Sequence, residues 1–158
     1  MKTIYFARHS FAEISYSKSD FEREITREGF DKIEEQCDIL SKEKAKIDLI
    51  ICSSAKRTIQ TAKYIKLLLK INKDIIDLDW LYEEYPSYQF LELIQNQSKK
   101  IESLMIVAHN PTISVMASNF NLSKNYELMP SGIIKMDFDV SNWDDIELRS
   151  GKESLFLS

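Results

Sequence analysis

The chain contains two histidines, and each one follows a run of apolar residues. His9 comes directly after Arg8 at the end of the apolar run 3–7, and His109 follows the apolar run 104–108. A neutral imidazole is a nucleophile and a base near pH 7, and an arginine beside it supplies a fixed positive charge. Two histidines at the ends of two probable strands therefore predict one active site rather than two scattered side chains.

A third segment adds an anion-binding element to this set. Residues 53–58 read Ser-Ser-Ala-Lys-Arg-Thr and lie between an apolar strand pattern and a helical pattern. Backbone N–H groups at the start of a helix attract anions, and the planar fork of Arg57 can donate two parallel hydrogen bonds to a phosphate. With Arg8 and the two histidines, Arg57 predicts a pocket for a tetrahedral dianion such as a phosphoryl group. Ser53 and Ser54 are predicted to cap the helix.

The elements that must position these residues alternate along the chain. Strands are predicted over residues 2–7, 48–52, 75–80, 104–108, 133–138 and 146–148, the last two as an antiparallel pair that turns around residues 141–142. Helices are predicted from Thr26, behind residues 53–54, over residues 87–97 and from Pro111. This alternation predicts an α/β fold, a three-layer α/β/α sandwich with a mostly parallel sheet and an antiparallel C-terminal strand. In such a sheet the carboxyl ends of parallel strands lie side by side, so the residues that follow the predicted strands 2–7, 48–52 and 104–108 should meet there.

The first predicted helix has a clear start and one unusual residue. The hydroxyl of Thr26 is placed to cap its N-terminus. Gly29 lies in the first turn, although glycine weakens a helix.

Composition limits the classes of function. The 158 residues are 44% apolar and 29% charged with a net charge of -4, which predicts one domain over residues 1–158 and no broad nucleic-acid surface. Cys37 and Cys52 are predicted to be small buried hydrophobic residues, with neither a disulfide nor a metal site. The N-terminus lacks a signal-peptide pattern, and the apolar stretch 65–71 is interrupted by lysines and too short to span a bilayer. A cytoplasmic protein is expected.

Six segments carry a resemblance to a known family. Arg8-His9-Ser10 resembles the Arg-His-Gly motif of the histidine phosphatase superfamily, the phosphoglycerate-mutase-like enzymes. Residues 22–29 are similar to the segment that leads into the first helix of the family, residues 53–62 to its strand-to-helix arginine motif, and residues 107–111 to its second-histidine motif. Residues 81–83 and 129–132 resemble the short, SixA-type phosphohistidine phosphatase branch. The resemblance spans residues 2 to about 138 in the order of the family.

The resemblance implies a phosphoglycerate-mutase-like fold and a two-step reaction. His9 would attack phosphorus and become phosphorylated, and water would then release phosphate. Arg8, Arg57 and His109 would hold the phosphoryl oxygens. Nearby arginines should favour the neutral form of His9, which can attack. No metal or cofactor is implied, because fixed cations would do the electrostatic work. Other polar side chains in these motifs are also candidates for contact with the substrate: Ser10, Arg23, Ser53 and Asn110.

Ser10 and Ser54 depart from the family pattern, and alternatives stay open for Ser10, Glu83 and Arg23. Ser10 stands where the family has glycine: it is strained if the position requires positive φ, and otherwise its hydroxyl could contact phosphate. Ser54 stands where proline is common. Glu83 is either a general acid for the leaving group or a surface carboxylate beside Glu84. Arg23 either lines the pocket or pairs with an acidic neighbour.

The short spacing between the motifs leaves no room for a large lid over the site. An open site favours a phosphorylated side chain of another protein, and phosphohistidine needs little help from an acid because its leaving imidazole has a pKa of roughly 6.5. The leading hypothesis is a protein phosphohistidine phosphatase, a hydrolase that releases inorganic phosphate. The alternatives are a phosphomonoesterase that acts on a small phosphorylated metabolite and a non-catalytic phosphate-binding module. A monomer without nucleic-acid or membrane partners is expected.

Overall fold

The strand that carries the first histidine lies in the middle of the sheet. In the computed structural model, which describes residues 1–158, β1 spans Lys2–Arg8. It pairs in parallel with β4 (Ser103–Ala108) and antiparallel with β5 (Ile133–Phe138). The other strands are β2 (Leu49–Ser53), β3 (Ile76–Leu78) and β6 (Lys152–Leu157), and the sheet order is β3-β2-β4-β1-β5-β6. Strands β1 to β4 are mutually parallel, as predicted.

Four α-helices cover the two faces of this sheet. Their bounds are α1 Arg27–Lys42, α2 Lys56–Leu68, α3 Ser87–Gln95 and α4 Thr112–Phe120. Short 3-10 turns occur at Asp20–Glu22, Asp79–Tyr82 and Trp143–Asp145. Buried apolar residues of α1 and α2 form one core cluster with the sheet, and those of α3 and α4 form the other. The three-layer α/β/α architecture is therefore confirmed.

The side chains of β1 show how one strand serves both cores. Ile4 and Phe6 belong to the cluster under α3 and α4, whereas Tyr5 and Ala7 belong to the cluster under α1 and α2. Successive side chains of a strand point to opposite faces, so a strand covered on both faces is apolar at every position. This is why the run of residues 3–7 lacks the alternation of a half-exposed strand.

The start of α1 explains its unusual glycine. Thr26 Oγ1 accepts a hydrogen bond from the Gly29 backbone N–H at 3.1 Å, so the predicted cap is confirmed. A Cβ atom on Gly29 would lie 2.4 Å from the Phe11 carbonyl oxygen and 2.6 Å from Ile25 Cγ2. The loop before α1 therefore packs against the first helical turn too closely for any side chain.

Two sequence predictions are wrong in detail. The partner of β5 is β6, and not residues 146–148: Ile146 is buried at the end of a 3-10 turn, where its apolar side chain fills the core without pairing in the sheet. Ser53 and Ser54 do not cap α2, which begins at Lys56 with Ala55 at the N-cap position. Ser53 still belongs to β2, and its hydroxyl contacts a histidine in the pocket described below.

None of the four helices has the length and apolar character of a membrane-spanning segment.

Candidate active site

The ends of three parallel strands bring the predicted catalytic residues together. His9 follows β1, His109 follows β4, and Arg57 lies in the first turn of α2 behind β2. The centroids of the two imidazole rings are 5.2 Å apart. Arg57 Nε lies 3.3 Å from His9 Nε2, and Arg57 Nη2 lies 3.2 Å from His109 Nδ1. One guanidinium therefore contacts both imidazoles.

The hydrogen bonds of His9 determine which of its nitrogens can attack. Its Nδ1 lies 2.7 Å from the Ser10 carbonyl oxygen, which can only accept, so Nδ1 must carry the proton. Its Nε2 accepts from the Nε–H of Arg57 and holds the lone pair of the neutral ring. The ring thus presents an unprotonated nitrogen to the pocket.

Burial keeps both imidazoles neutral at physiological pH. Desolvation, opposed by the hydrogen bond to the Ser10 carbonyl and assisted by the charges of Arg57, Arg8 and Arg23, lowers the pKa of His9 to about 4. The pKa of His109 falls to about 3, again through desolvation first and then through His9 and Arg57. The expectation that nearby arginines favour neutral His9 is therefore met, although burial is the larger cause.

His109 takes the opposite tautomer from His9. Its Nδ1 accepts from Arg57, which can only donate, so the proton lies on Nε2. Nε2 is 2.8 Å from Ser53 Oγ and donates to it. The sequence had proposed Ser53 as a substrate contact, and the structure shows its hydroxyl orienting the second histidine.

Arg8 and Asn110 meet on the same carbonyl group. Arg8 Nη1 donates to the Leu128 carbonyl oxygen at 3.0 Å, and Asn110 Nδ2 donates to the same oxygen at 2.8 Å. The amide oxygen of Asn110 accepts from Ser114 Oγ at 2.6 Å, so both groups of this side chain are engaged with protein. Arg8 makes no other side-chain hydrogen bond within the protein, and desolvation lowers its pKa.

The structure answers the question raised by Ser10. Its φ does not lie in the left-handed region, so serine fits without backbone strain. Its side chain is fully buried: Oγ donates to the Gly29 carbonyl oxygen at 2.7 Å and accepts from Ser131 Oγ. In the structure the hydroxyl braces the loop beneath the nucleophile, and its contact with phosphate stays a prediction.

Asp20 belongs to the pocket, although the sequence analysis did not predict it. Asp20 Oδ2 accepts from Arg57 Nη2 at 3.0 Å and from the Tyr82 hydroxyl at 2.8 Å, and Oδ1 accepts from Arg23 Nη1 at 2.8 Å. These bonds, that from Arg23 foremost, hold the pKa of the Asp20 carboxyl far below its usual range. No local pattern marks Asp20, because only the fold brings residue 20 to residue 57.

Arg23 and Glu83 take different places around the pocket. Arg23 pairs with Asp20 and also donates from Nε to the Glu13 carbonyl oxygen at 2.7 Å, while its charge acts on His9. Glu83 is exposed and makes neither an ion pair nor a side-chain hydrogen bond. Its neighbour Tyr82 reaches the pocket, with its ring 5.4 Å from that of His109. The geometry thus favours the surface interpretation of Glu83.

Comparison with known proteins agrees with this arrangement. No family model and no curated protein matches the chain. Among solved structures, the protein histidine phosphatase SixA complexed with tungstate has a TM-score of 0.85 at 18% identity, over 99% of this chain and 96% of that chain. A putative phosphohistidine phosphatase SixA from Agrobacterium tumefaciens has a TM-score of 0.82 at 25% identity, over 99% and 97% of the two chains.

A more distant likeness widens the comparison. A phosphoserine phosphatase from Entamoeba histolytica in complex with 3-phosphoglyceric acid has a TM-score of 0.69 at 15% identity, over 100% of this chain and 98% of that chain. The two SixA structures match this chain better and over almost their whole length. The chain therefore has the phosphoglycerate-mutase-like fold of the histidine phosphatase superfamily, in the form that the SixA structures share, which confirms the resemblance found in the sequence.

Proposed function

We propose that this protein is a phosphatase that removes phosphate from phosphohistidine on another protein, with His9 as the nucleophile. The observation that carries the proposal is the state of His9: a neutral ring whose unprotonated Nε2 lies 3.3 Å from Arg57 Nε. A nucleophile and an oxyanion-binding cation in direct contact are what attack on a phosphoryl group requires. The likeness to two SixA structures supports the same chemistry.

In the first step the phosphoryl group is transferred to His9. The Nε2 lone pair attacks phosphorus, and the bond between phosphorus and the substrate ring breaks. The other nitrogen of that ring carries a proton, so the electron pair of the broken bond leaves on a neutral imidazole. Arg8 and Arg57 stabilise the charge on the equatorial oxygens. A dianion in the pocket also favours the protonated form of His109, which then donates from Nδ1 to the phosphoryl group.

In the second step water attacks the phosphorus of phosphorylated His9. The bond between phosphorus and Nε2 breaks, inorganic phosphate leaves, and the proton of the water passes to the phosphate or to solvent. Nδ1 keeps its proton and its bond to the Ser10 carbonyl oxygen throughout, so the phosphorylated ring is cationic and leaves as a neutral imidazole. His9 therefore needs no proton transfer of its own in either step.

The position of Glu83 supports phosphohistidine over an alkyl phosphate. An alkoxide leaving group requires a proton donor, whereas an imidazole with a pKa of roughly 6.5 leaves without one. Glu83 is exposed and unbonded, and Asp20 is held in its ionised form, so neither carboxyl group is set to protonate a leaving group. This argues against the small-molecule phosphomonoesterase.

A direct assay tests the proposal. The protein is incubated with a small protein phosphorylated chemically on histidine, and phosphate release and the phosphoenzyme are followed after alkaline quenching. We expect multiple turnovers and a phosphoenzyme that is lost in His9→Gln, a variant whose folding is checked by circular dichroism. Arg57→Lys should slow turnover by about two orders of magnitude, because the bidentate contact and its charge placement are lost.

Two results would contradict the proposal. Rapid turnover of sugar or nucleotide phosphates with none of the phosphohistidine protein would favour the phosphomonoesterase. Phosphate binding with no phosphoenzyme from any substrate would favour a non-catalytic binding module.

A further inference from the structure

The phosphate pocket of the free protein already holds an anion, the carboxylate of Asp20. We infer that Asp20 is an intramolecular competitor that occupies the phosphoryl-binding donors of Arg57, so that a phosphorylated substrate must displace it. The inference rests on the proposed function, because it takes the surroundings of Arg57 and the two histidines as the phosphoryl site. It assigns a role to a residue that contacts neither histidine directly but competes with the substrate for the same cation.

The hydrogen bonds of Arg57 carry this inference. Nε donates to His9, Nη1 donates to the Asp20 backbone oxygen at 2.6 Å, and Nη2 donates both to Asp20 Oδ2 and to His109 Nδ1. Four of the five N–H groups that an arginine carries are thus engaged. Bidentate binding of a phosphate takes two of them. Only one N–H, on Nη1, is free, so bidentate binding through Nη1 and Nη2 must release a contact of Nη2, and the anion that Nη2 holds is Asp20.

The charge of Asp20 makes the two anions mutually exclusive. Hydrogen bonds from Arg23, Tyr82 and Arg57 keep the carboxyl ionised at neutral pH. A phosphoryl dianion on the same guanidinium would lie within a few ångströms of this carboxylate, where repulsion between like charges is strong in a partly buried site. The carboxylate has to leave before the dianion can bind.

Asp20 rather than Arg57 is the partner that can move. Arg57 is anchored in the first turn of α2 with 7% of its side chain exposed, whereas 52% of the Asp20 side chain is exposed. Asp20 lies in the 3-10 turn Asp20–Glu22, within the loop between β1 and α1. Arg23 bonds to the other carboxylate oxygen and follows the same turn, so it can keep Asp20 paired after its release from Arg57.

Competition of this kind lowers the affinity of the pocket for every phosphate, including the free product. Displacement of Asp20 weakens the binding of every phosphate by the same factor, which is the fraction of protein in which Arg57 is free. Inorganic phosphate has no other contacts to offset that factor, whereas a phosphorylated side chain gains further contacts from the protein that carries it. Asp20 does not change the ratio of the two affinities, but it raises the concentration at which inorganic phosphate occupies the pocket.

Oxyanion binding tests the inference without any need for turnover. Binding of tungstate and of inorganic phosphate is measured by isothermal titration calorimetry for the wild type, Asp20→Asn and Asp20→Ala. Glu22→Gln serves as the matched control, because it removes a negative charge from the same turn at a residue that does not contact Arg57. We expect both Asp20 variants to bind tungstate about tenfold more tightly than the wild type, if Arg57 is free in roughly a tenth of the molecules, and Glu22→Gln to match the wild type.

The possible outcomes separate this inference from the proposed function. Equal or weaker tungstate binding by both Asp20 variants, with normal binding by the wild type, would overturn the inference alone and show that Asp20 only positions Arg57. A gain in Glu22→Gln equal to that in Asp20→Asn would also overturn it, because general charge would then explain the effect. Absence of tungstate binding in all four proteins would overturn the phosphate pocket and the inference together.

Discussion

At the scale of single residues, one arginine organises the whole site. Arg57 donates to His9 Nε2 and to His109 Nδ1, and these two contacts select opposite tautomers for the two rings. The Ser10 carbonyl group and the Ser53 hydroxyl complete the selection from the other side of each ring. The pocket therefore gains its positive charge from arginines alone, since both imidazoles are neutral near pH 7.

This state of the histidines can be observed directly. The chain contains only two histidines, so the imidazole signals of a labelled sample can be assigned with a single His109→Gln variant. We expect neither imidazole to become protonated between pH 8 and 5 in the free protein. The titration midpoint of His9 should be about 4, because burial disfavours its charged form. A midpoint near the ordinary value of roughly 6.5 would show that His9 is solvated and contradict the geometry of the pocket.

At the scale of elements, the first turn of α1 supports the nucleophile. The Gly29 carbonyl oxygen accepts from Ser10 Oγ, and the carbonyl oxygen of Ser10 orients His9. The Phe11 carbonyl oxygen approaches Gly29 closely enough to exclude a Cβ atom. Glycine at this position weakens the helix, but it allows the loop after β1 to pack against α1.

Gly29→Ala tests this support. Alanine is the better helix former, but its Cβ atom would lie 2.4 Å from the Phe11 carbonyl oxygen. We expect the cost of this clash to exceed the gain in helix propensity. We expect the free energy of unfolding to fall by about 1–3 kcal/mol in urea denaturation and phosphatase turnover to fall with it. Glu28→Ala, at an exposed position of the same turn, is the control and should change neither quantity appreciably. Unchanged stability of Gly29→Ala would mean that the loop can move away from the helix.

Much of the fold follows from local patterns in the sequence, and the exceptions have physical causes. The bounds of β5 are those predicted, and α4 begins at Thr112, one residue after the predicted start at Pro111. Ile146 was assigned to a strand because an apolar side chain that fills the core from a turn looks the same in sequence. Asp20 could not be identified, since the loop before α1 has no periodicity and its partners lie far away in the chain.

At the scale of the whole molecule, the site lowers stability in acid. The pKa values of His9 and His109 are about 4 and about 3 in the folded protein, and roughly 6.5 in the unfolded chain. The unfolded state therefore binds more protons than the folded state below about pH 6.5, and the free energy of unfolding falls as the pH falls from 6.5 towards 4. Asp20 acts in the same direction at lower pH, because its ionised form is the one that the fold stabilises.

Urea denaturation at pH 7 and pH 5 measures this dependence. We expect each histidine to contribute about 1–2 kcal/mol to the loss of stability between these two values. His9→Gln should show a smaller difference between pH 7 and pH 5 than the wild type, whatever its stability at pH 7. An unchanged difference would place the acid sensitivity outside the active site.

The backbone around the nucleophile has a consequence for motion. The His9 amide donates to the Ala108 carbonyl oxygen, the Arg8 amide donates to that of Gly132, and the His9 carbonyl oxygen accepts from the Ser131 amide. These bonds tie residues 8 and 9 to the chain on both sides of β1, so their amides can exchange with deuterium only when the middle of the sheet opens. The backbone of the nucleophile is therefore held by the middle of the sheet. We expect a rearrangement that admits a substrate to occur instead in the loop that carries Asp20, whose side chain is half exposed.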